Sequence, residues 1–168
     1  MDKKLYELAV QVGAALKTRR LTLATAESCT GGWIGEAVTA VPGSSEWYER
    51  GFITYTNVAK REMLGVAAAT LDRFGAVSPE TVKEMVTGAL ANSHAQIAIA
   101  VSGVAGPSGG TPAKPVGTVC IAWGKRGGEP IAEARLFPGD REAVRRQSVE
   151  CGLSGLLKLV EQEVVPKA

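Results

Sequence analysis

Residues 24–32 read "ATAESCTGG" and place two potential nucleophiles, Ser28 and Cys29, side by side. A short apolar run over 21–27 leads into them, and Gly31 and Gly32 follow. That order predicts a buried strand, a turn carrying a nucleophile, and a helix started by glycine. In open α/β sheets ligands bind at this carboxyl edge. A helix N-terminus there offers N–H groups to an anion or a developing oxyanion. From the stretch alone two readings stand. Either Ser28 is chemistry, or Ser28 and Thr30 serve as helix caps and the glycines make a tight turn.

A nucleophilic serine needs a base. The chain has one histidine, His94, which falls at the predicted end of a helix just before a strand. That is the wrong end of the unit for a Ser-His pair. The S-x-x-K spacing is absent, because Gly31 stands third after Ser28. "YTNVAK" supplies a more distant lysine: Tyr55 ends a predicted strand, and Lys60 falls in the first turn of the helix after it. The helix N-terminus, with some burial, would lower the lysine pKa, as a general base requires. Taken alone, Lys60 reads as a solvated surface lysine, and the company of Ser28 and Tyr55 is what weighs against that.

Three further features could hold a substrate. The loop "GVAGPSGGTPAKP" over 103–115 follows a buried strand at the same edge, and its amides could cradle an anion. "GDREAVRR" places Arg141 and Arg145 four residues apart near a helix start, where like charges repel and cations oppose the dipole. A bound phosphate would offset both costs; otherwise both are solvated arginines. Trp33, Trp47 and Trp123 read as core or interface residues rather than stacking platforms.

The elements that must position these groups follow from periodicity. A first amphipathic helix, with Leu5, Leu8, Val12 and Leu16 on one side, reads better than a signal peptide. Then come a strand at 21–27, a helix at 30–41 stopped by Pro42 and Gly43, and a strand at 51–56. A helix at 57–65 with Asn57 as cap follows, and "TLDRFG" adds a turn. Next are a helix at 78–93 capped by Ser78 with Pro79 first, a strand at 96–102, and a strand pair at 116–124 and 131–138. The last helix, 140–164, carries Val149, Leu153, Leu156, Val160 and Val164 on its apolar side. Helices alternating with strands, then a hairpin, predict a three-layer α/β/α sandwich with a mixed, mostly parallel sheet of about five strands. Residues 1–168 read as one domain.

Composition narrows the function classes. The 168 residues are 45% hydrophobic and 21% charged, an ordinary globular balance. A net charge of +2, dispersed along the chain, gives no footprint for nucleic acid. No apolar run is long enough to cross a membrane. The three cysteines, Cys29, Cys120 and Cys151, have no metal-ligand spacing and fit a reducing cytoplasm. One histidine excludes a multi-histidine metal site.

Taken in order, "AESCTGG", "VPGSS", "GFITYTNVAK", "LGV", "GAVSPE", "IAVSGVAGPSGGTPAKPVGTV" and "GDR" resemble the C-terminal domain family of the competence/damage-inducible protein CinA, in its stand-alone amidase form. The likeness runs over nearly the whole chain. It implies hydrolysis of the carboxamide of nicotinamide mononucleotide to nicotinate mononucleotide and ammonia. It also implies a serine nucleophile with lysine and tyrosine partners, no metal or other cofactor, and a homo-oligomer. Carried onto this chain, the catalytic residues are Ser28, Tyr55 and Lys60. Lys60 is expected to take the proton from Ser28 while Tyr55 relays or donates it. Substrate and oxyanion contacts are expected from Thr30, Gly31 and Gly32, from Ser102, Gly103, Gly106, Gly109 and Gly110, and from Arg141 and Arg145. The sequence departs from the family pattern at Ser102, where threonine is common, and at Ser108, where glycine is common. Competing expectations are a non-catalytic nucleotide-binding module using the same pocket, and a hydrolase or redox protein using the Cys29 thiol.

Overall fold

The computed structural model describes residues 1–162. Along the chain run α1 (Lys3–Arg19), β1 (Leu23–Glu27), α2 (Trp33–Thr39), β2 (Tyr48–Ile53), α3 (Asn57–Leu64), α4 (Ala68–Phe74), α5 (Pro79–Ala91), β3 (Ile97–Gly103), β4 (Thr118–Lys125), β5 (Ile131–Leu136) and α6 (Arg141–Glu161). The strands form one sheet in the order β2-β1-β3-β4-β5. β1 pairs in parallel with β2 and β3, while β4 is antiparallel to β3 and β5 is antiparallel to β4. Four strands therefore point one way and β4 the other, the mixed α/β/α architecture read from the sequence.

Side-chain alternation along β1 and β3 sorts the two layers. One face carries Leu23, Ile97, Ile99, Val101, Ile121 and Trp123 against α1, α2 and α6. The other carries Ala24, Ala26, Ala98, Ala100, Cys120 and Ala122 against Leu64, Val66, Val82, Met85 and Val86. Small residues on this second face let its helices lie close. Gly88 marks the tightest approach: a Cβ there would overlap the Leu64 carbonyl, so α3 is seated directly on α5.

The helix starts obey local chemistry. Asp2, Ser78 and Asp140 each accept a backbone N–H at the head of α1, α5 and α6, and Pro79 opens α5. α3 is capped by Thr56, which accepts from Ala59 N, and Asn57 is its first residue rather than its cap. Sequence placed that cap one residue late because asparagine and threonine both suit it. The strand expected at 51–56 begins earlier, at Tyr48, since pairing with β1 sets its register (Leu23 opposite Tyr48). The helix expected at 30–41 is shorter and starts only at Trp33, for a reason that lies in the site. Trp47 and Trp123 are core residues as expected. Gly13 and Gly155 leave room for their rings, and Trp123 donates to the Gly152 carbonyl at 2.9 Å. On α6, Val149, Leu153, Leu156 and Val160 are buried, whereas Val164 lies outside the described residues. Among the described residues no helix is long and apolar enough to cross a membrane.

From the end of β1 the chain turns toward β2, and from the end of β3 it turns toward β4. In an open α/β sheet, exits that diverge in this way place the ligand crevice at the carboxyl edge. Ser28, the first residue beyond β1, stands in it.

Candidate functional site

The turn after β1 is anchored on both sides. Ser28 N donates to the Val101 carbonyl of β3 at 3.0 Å, and Thr54 N donates to the Glu27 carbonyl at 2.8 Å. Since Glu27 lies opposite Ile53 and Val101, the next row across the three strands is Thr54, Ser28 and Ser102. Alternation turns Ser28 and Ser102 to the alanine-lined face and Cys29 to the opposite one. Cys29 accordingly sits in the bulky core with Ile34 and Val101. Burial pushes its thiol up to about 12, so it is a poor source of thiolate. The thiol hydrolase expectation has no activated sulfur here.

Lys60 meets Ser28. Its Nζ lies 3.0 Å from Ser28 Oγ and 3.0 Å from the Thr54 carbonyl oxygen. Lys60 is 1% exposed and Ser28 7%. The lysine comes from the first turn of α3, and among the described residues no carboxylate contacts its Nζ. Removal from water is the main cause holding its pKa below the usual lysine value. A neutral Nζ keeps one lone pair and two N–H groups. With one N–H fixed on the Thr54 carbonyl, the lone pair is free to face the Ser28 hydroxyl. That is the arrangement of a serine with its base. Thr54 is fully buried, and among the described residues its hydroxyl has no hydrogen-bond partner.

Tyr55 occupies a different place. It is 57% exposed, and its hydroxyl accepts from Arg141 Nη2 at 2.9 Å rather than from Ser28 or Lys60. Arg141 Nη1 donates to the Gly106 carbonyl at 2.9 Å. One guanidinium thus ties the end of β2, the 103–115 loop and the start of α6 together at the mouth of the crevice. Within that loop, Gly106 has φ +83° and precedes a cis Pro107. A Cβ at Gly110 would lie 2.7 Å from Val116 N, and one at Gly103 2.7 Å from the Val119 side chain. Close packing against Val119 and Val116 accounts for those two glycines. Gly109 is exposed, and the structure joins neither Gly109 nor Gly110 to Ser28.

The expectation that α2 turns a free N-terminus to the substrate fails at two of its first amides. Ile34 N and Gly35 N donate to the Glu27 carboxylate at 2.8 and 3.0 Å, and the Thr30 hydroxyl donates to it at 2.6 Å. Glu27 itself is 2% exposed. The anion at this helix start is therefore part of the chain. Thr30 serves Glu27 rather than capping α2; the cap position is Gly32, with φ +103°. Gly31 N is held by the Ser28 carbonyl at 3.0 Å. Arg145 points the same way: Nε donates to the Cys29 carbonyl at 3.0 Å and Nη2 to the Thr30 carbonyl at 3.2 Å, with the guanidinium 5.5 Å from the Trp33 ring centre. Sequence reading did not single out Glu27. The available signal was a carboxylate closing an apolar strand immediately before a nucleophile and a helix start.

The family model described as "CinA C-terminal domain" matches residues 5–160. The chain is 56% identical over 152 residues to the Pseudomonas putida protein named nicotinamide-nucleotide amidohydrolase PncC, covering 90% of this chain and 94% of that one. It is 51% identical over 155 residues to the Escherichia coli K12 protein of the same name, covering 92% and 94%. A crystal structure of an Agrobacterium tumefaciens competence/damage inducible protein superposes with a TM-score of 0.91 at 43% identity, covering 96% of this chain and 98% of that one. The chain belongs to the CinA C-terminal domain family.

Proposed function

We propose that the protein hydrolyses the carboxamide of nicotinamide mononucleotide to nicotinate mononucleotide and ammonia, with Ser28 as nucleophile and Lys60 as its base. The observation that carries the mechanism is the 3.0 Å approach of the buried Lys60 Nζ to the serine hydroxyl, and loss of water favours the neutral amine there. The names of relatives about half identical to the chain support the substrate. Neutral Lys60 takes the Ser28 proton as Oγ bonds to the carboxamide carbon. The tetrahedral adduct then loses nitrogen, and Lys60 returns the proton so that ammonia departs. Water, deprotonated by Lys60, attacks the acyl-serine; the ester bond breaks and Ser28 recovers its proton.

The developing oxyanion needs donors not already engaged. With Ile34 N and Gly35 N bound to Glu27, the reading places them on the other side of the crevice, at the Ser102 hydroxyl and the amides of 105–106. Arg141, at the mouth and partly open to solvent, is placed on the 5′-phosphate. Tyr55 then holds Arg141 in position and leaves it when the phosphate binds. A homo-oligomer in the cytoplasm, without cofactor, is the setting this reading expects. Incubation with nicotinamide mononucleotide tests it: equal amounts of ammonia and nicotinate mononucleotide are expected. Binding without release of either product would favour the non-catalytic nucleotide-binding module.

A further inference from the structure

We infer that Glu27 and Arg145 form a two-sided clamp that positions Ser28, and that Arg145 is a positioning residue rather than a ligand of the substrate phosphate. Five hydrogen bonds carry this. From below, the Glu27 carboxylate takes the Thr30 hydroxyl and the amides of Ile34 and Gly35. From the other side, Arg145 takes the carbonyls of Cys29 and Thr30. Together they fix both ends of the turn that holds Ser28 while touching neither Ser28 Oγ nor Lys60. A Cβ at Gly35 would meet Glu27 Oε2 at an ordinary contact distance of 3.6 Å, so it is the Gly35 amide rather than its missing side chain that engages the carboxylate.

The electrostatics favour the same role. The carboxylate is sealed from water but sits on the positive end of α2, with two N–H donors aimed at it. An external phosphate would find these amides already taken. Arg145 in turn spends Nε and Nη2 on carbonyls and sets its guanidinium carbon over the Trp33 ring. Serving a phosphate as a bidentate fork would mean abandoning that arrangement. Arg141, four residues earlier, holds only contacts at the open mouth and is free to change partners.

This inference rests on the amidase reading for its kinetic arm but not for its structural one. In Arg145→Ala, kcat is expected to fall about 100-fold, since a displacement of the nucleophile near 1 Å has that effect. KM should stay within about threefold, as for an interaction that does not bind the ground state. Added guanidinium should restore part of kcat, and Arg145→Lys, which keeps the charge but not the fork, should remain impaired. Glu27→Gln keeps the shape but turns a donor toward the amides, and it should lower kcat in the same manner. Amide hydrogen exchange at residues 28–32 should quicken about tenfold in both variants while α5 is unchanged. Retained kcat with a raised KM would overturn the inference by making Arg145 a phosphate ligand, and so would unchanged exchange in the turn. A wild-type protein that releases no ammonia would overturn the amidase reading alone, since the exchange measurement still decides on the clamp.

Discussion

The two faces of the sheet at residues 28 and 29 receive neighbouring nucleophiles and treat them in opposite ways. On one face Cys29 enters a dense core of branched side chains shared with α1, α2 and α6, and burial raises its pKa. On the other, alanines leave room under α3, and that space is filled by the Lys60 side chain reaching Ser28. The same physical cause, loss of water, acts on both. It suppresses the thiolate, which is charged when active, and it favours the neutral amine, which is uncharged when active. One turn of backbone therefore disables one nucleophile and equips the other.

The largest effect that would break this contrast is a direct exchange of roles. Ser28→Ala is expected to lower ammonia release by about 1000-fold or more, as loss of a nucleophile does. Cys29→Ala should retain activity within about threefold while costing about 1–2 kcal/mol of stability for the lost core contacts. The reverse pattern would hand the chemistry to the cysteine.

Next in size is Lys60→Met, which keeps the volume of the side chain and removes the base. Activity should fall by about 100-fold or more, whereas stability at neutral pH should rise. The sign follows from the lowered pKa. Between the folded-state pKa and the ordinary value of 10.5 the unfolded chain binds more protons, so the wild-type fold gains stability as pH rises through that window. Below it, burial of the charged lysine carries its full cost. The advantage of the methionine variant should thus be largest at and below the folded pKa and shrink toward pH 10.5. Denaturant unfolding at several pH values measures it.

The smallest effect concerns Thr54. Its buried hydroxyl has no partner among the described residues, while its carbonyl orients Lys60. Thr54→Val keeps the carbonyl and removes the unpaired group. Unfolding free energy should be unchanged or up to about 1 kcal/mol higher, with activity within about threefold of wild type. A large loss of activity would mean that the hydroxyl, and not only the backbone, serves the reaction.

Much of the site could be read from sequence because it is built from local signals. A strand ending in a nucleophile, and a lysine one turn into a helix after another strand, converge once both strands lie adjacent and parallel. The alternation that separates Ser28 from Cys29 is equally local. Three features needed tertiary knowledge. Tyr55 lies near in sequence to Lys60, yet its hydroxyl is bound to Arg141, because α6 returns from 86 residues away to close the mouth. Arg141 and Arg145 look alike on the helix, but only contacts made across the fold distinguish the mouth of the crevice from the back of the turn. The head of α2 reads as an open anion site until Glu27 is seen folded under it. The register of β2 also escaped, since its exposed edge carries little apolar alternation and pairing with β1 decides it.

The central claim, that a buried neutral Lys60 activates Ser28, is tested most directly by the pH dependence of kcat/KM for nicotinamide mononucleotide. Only the neutral amine accepts the serine proton, so activity should rise with pH through the folded-state pKa of Lys60 and reach a plateau below 10.5. A rate that keeps climbing until the ordinary lysine range, or one already constant where Lys60 is fully charged, would contradict it.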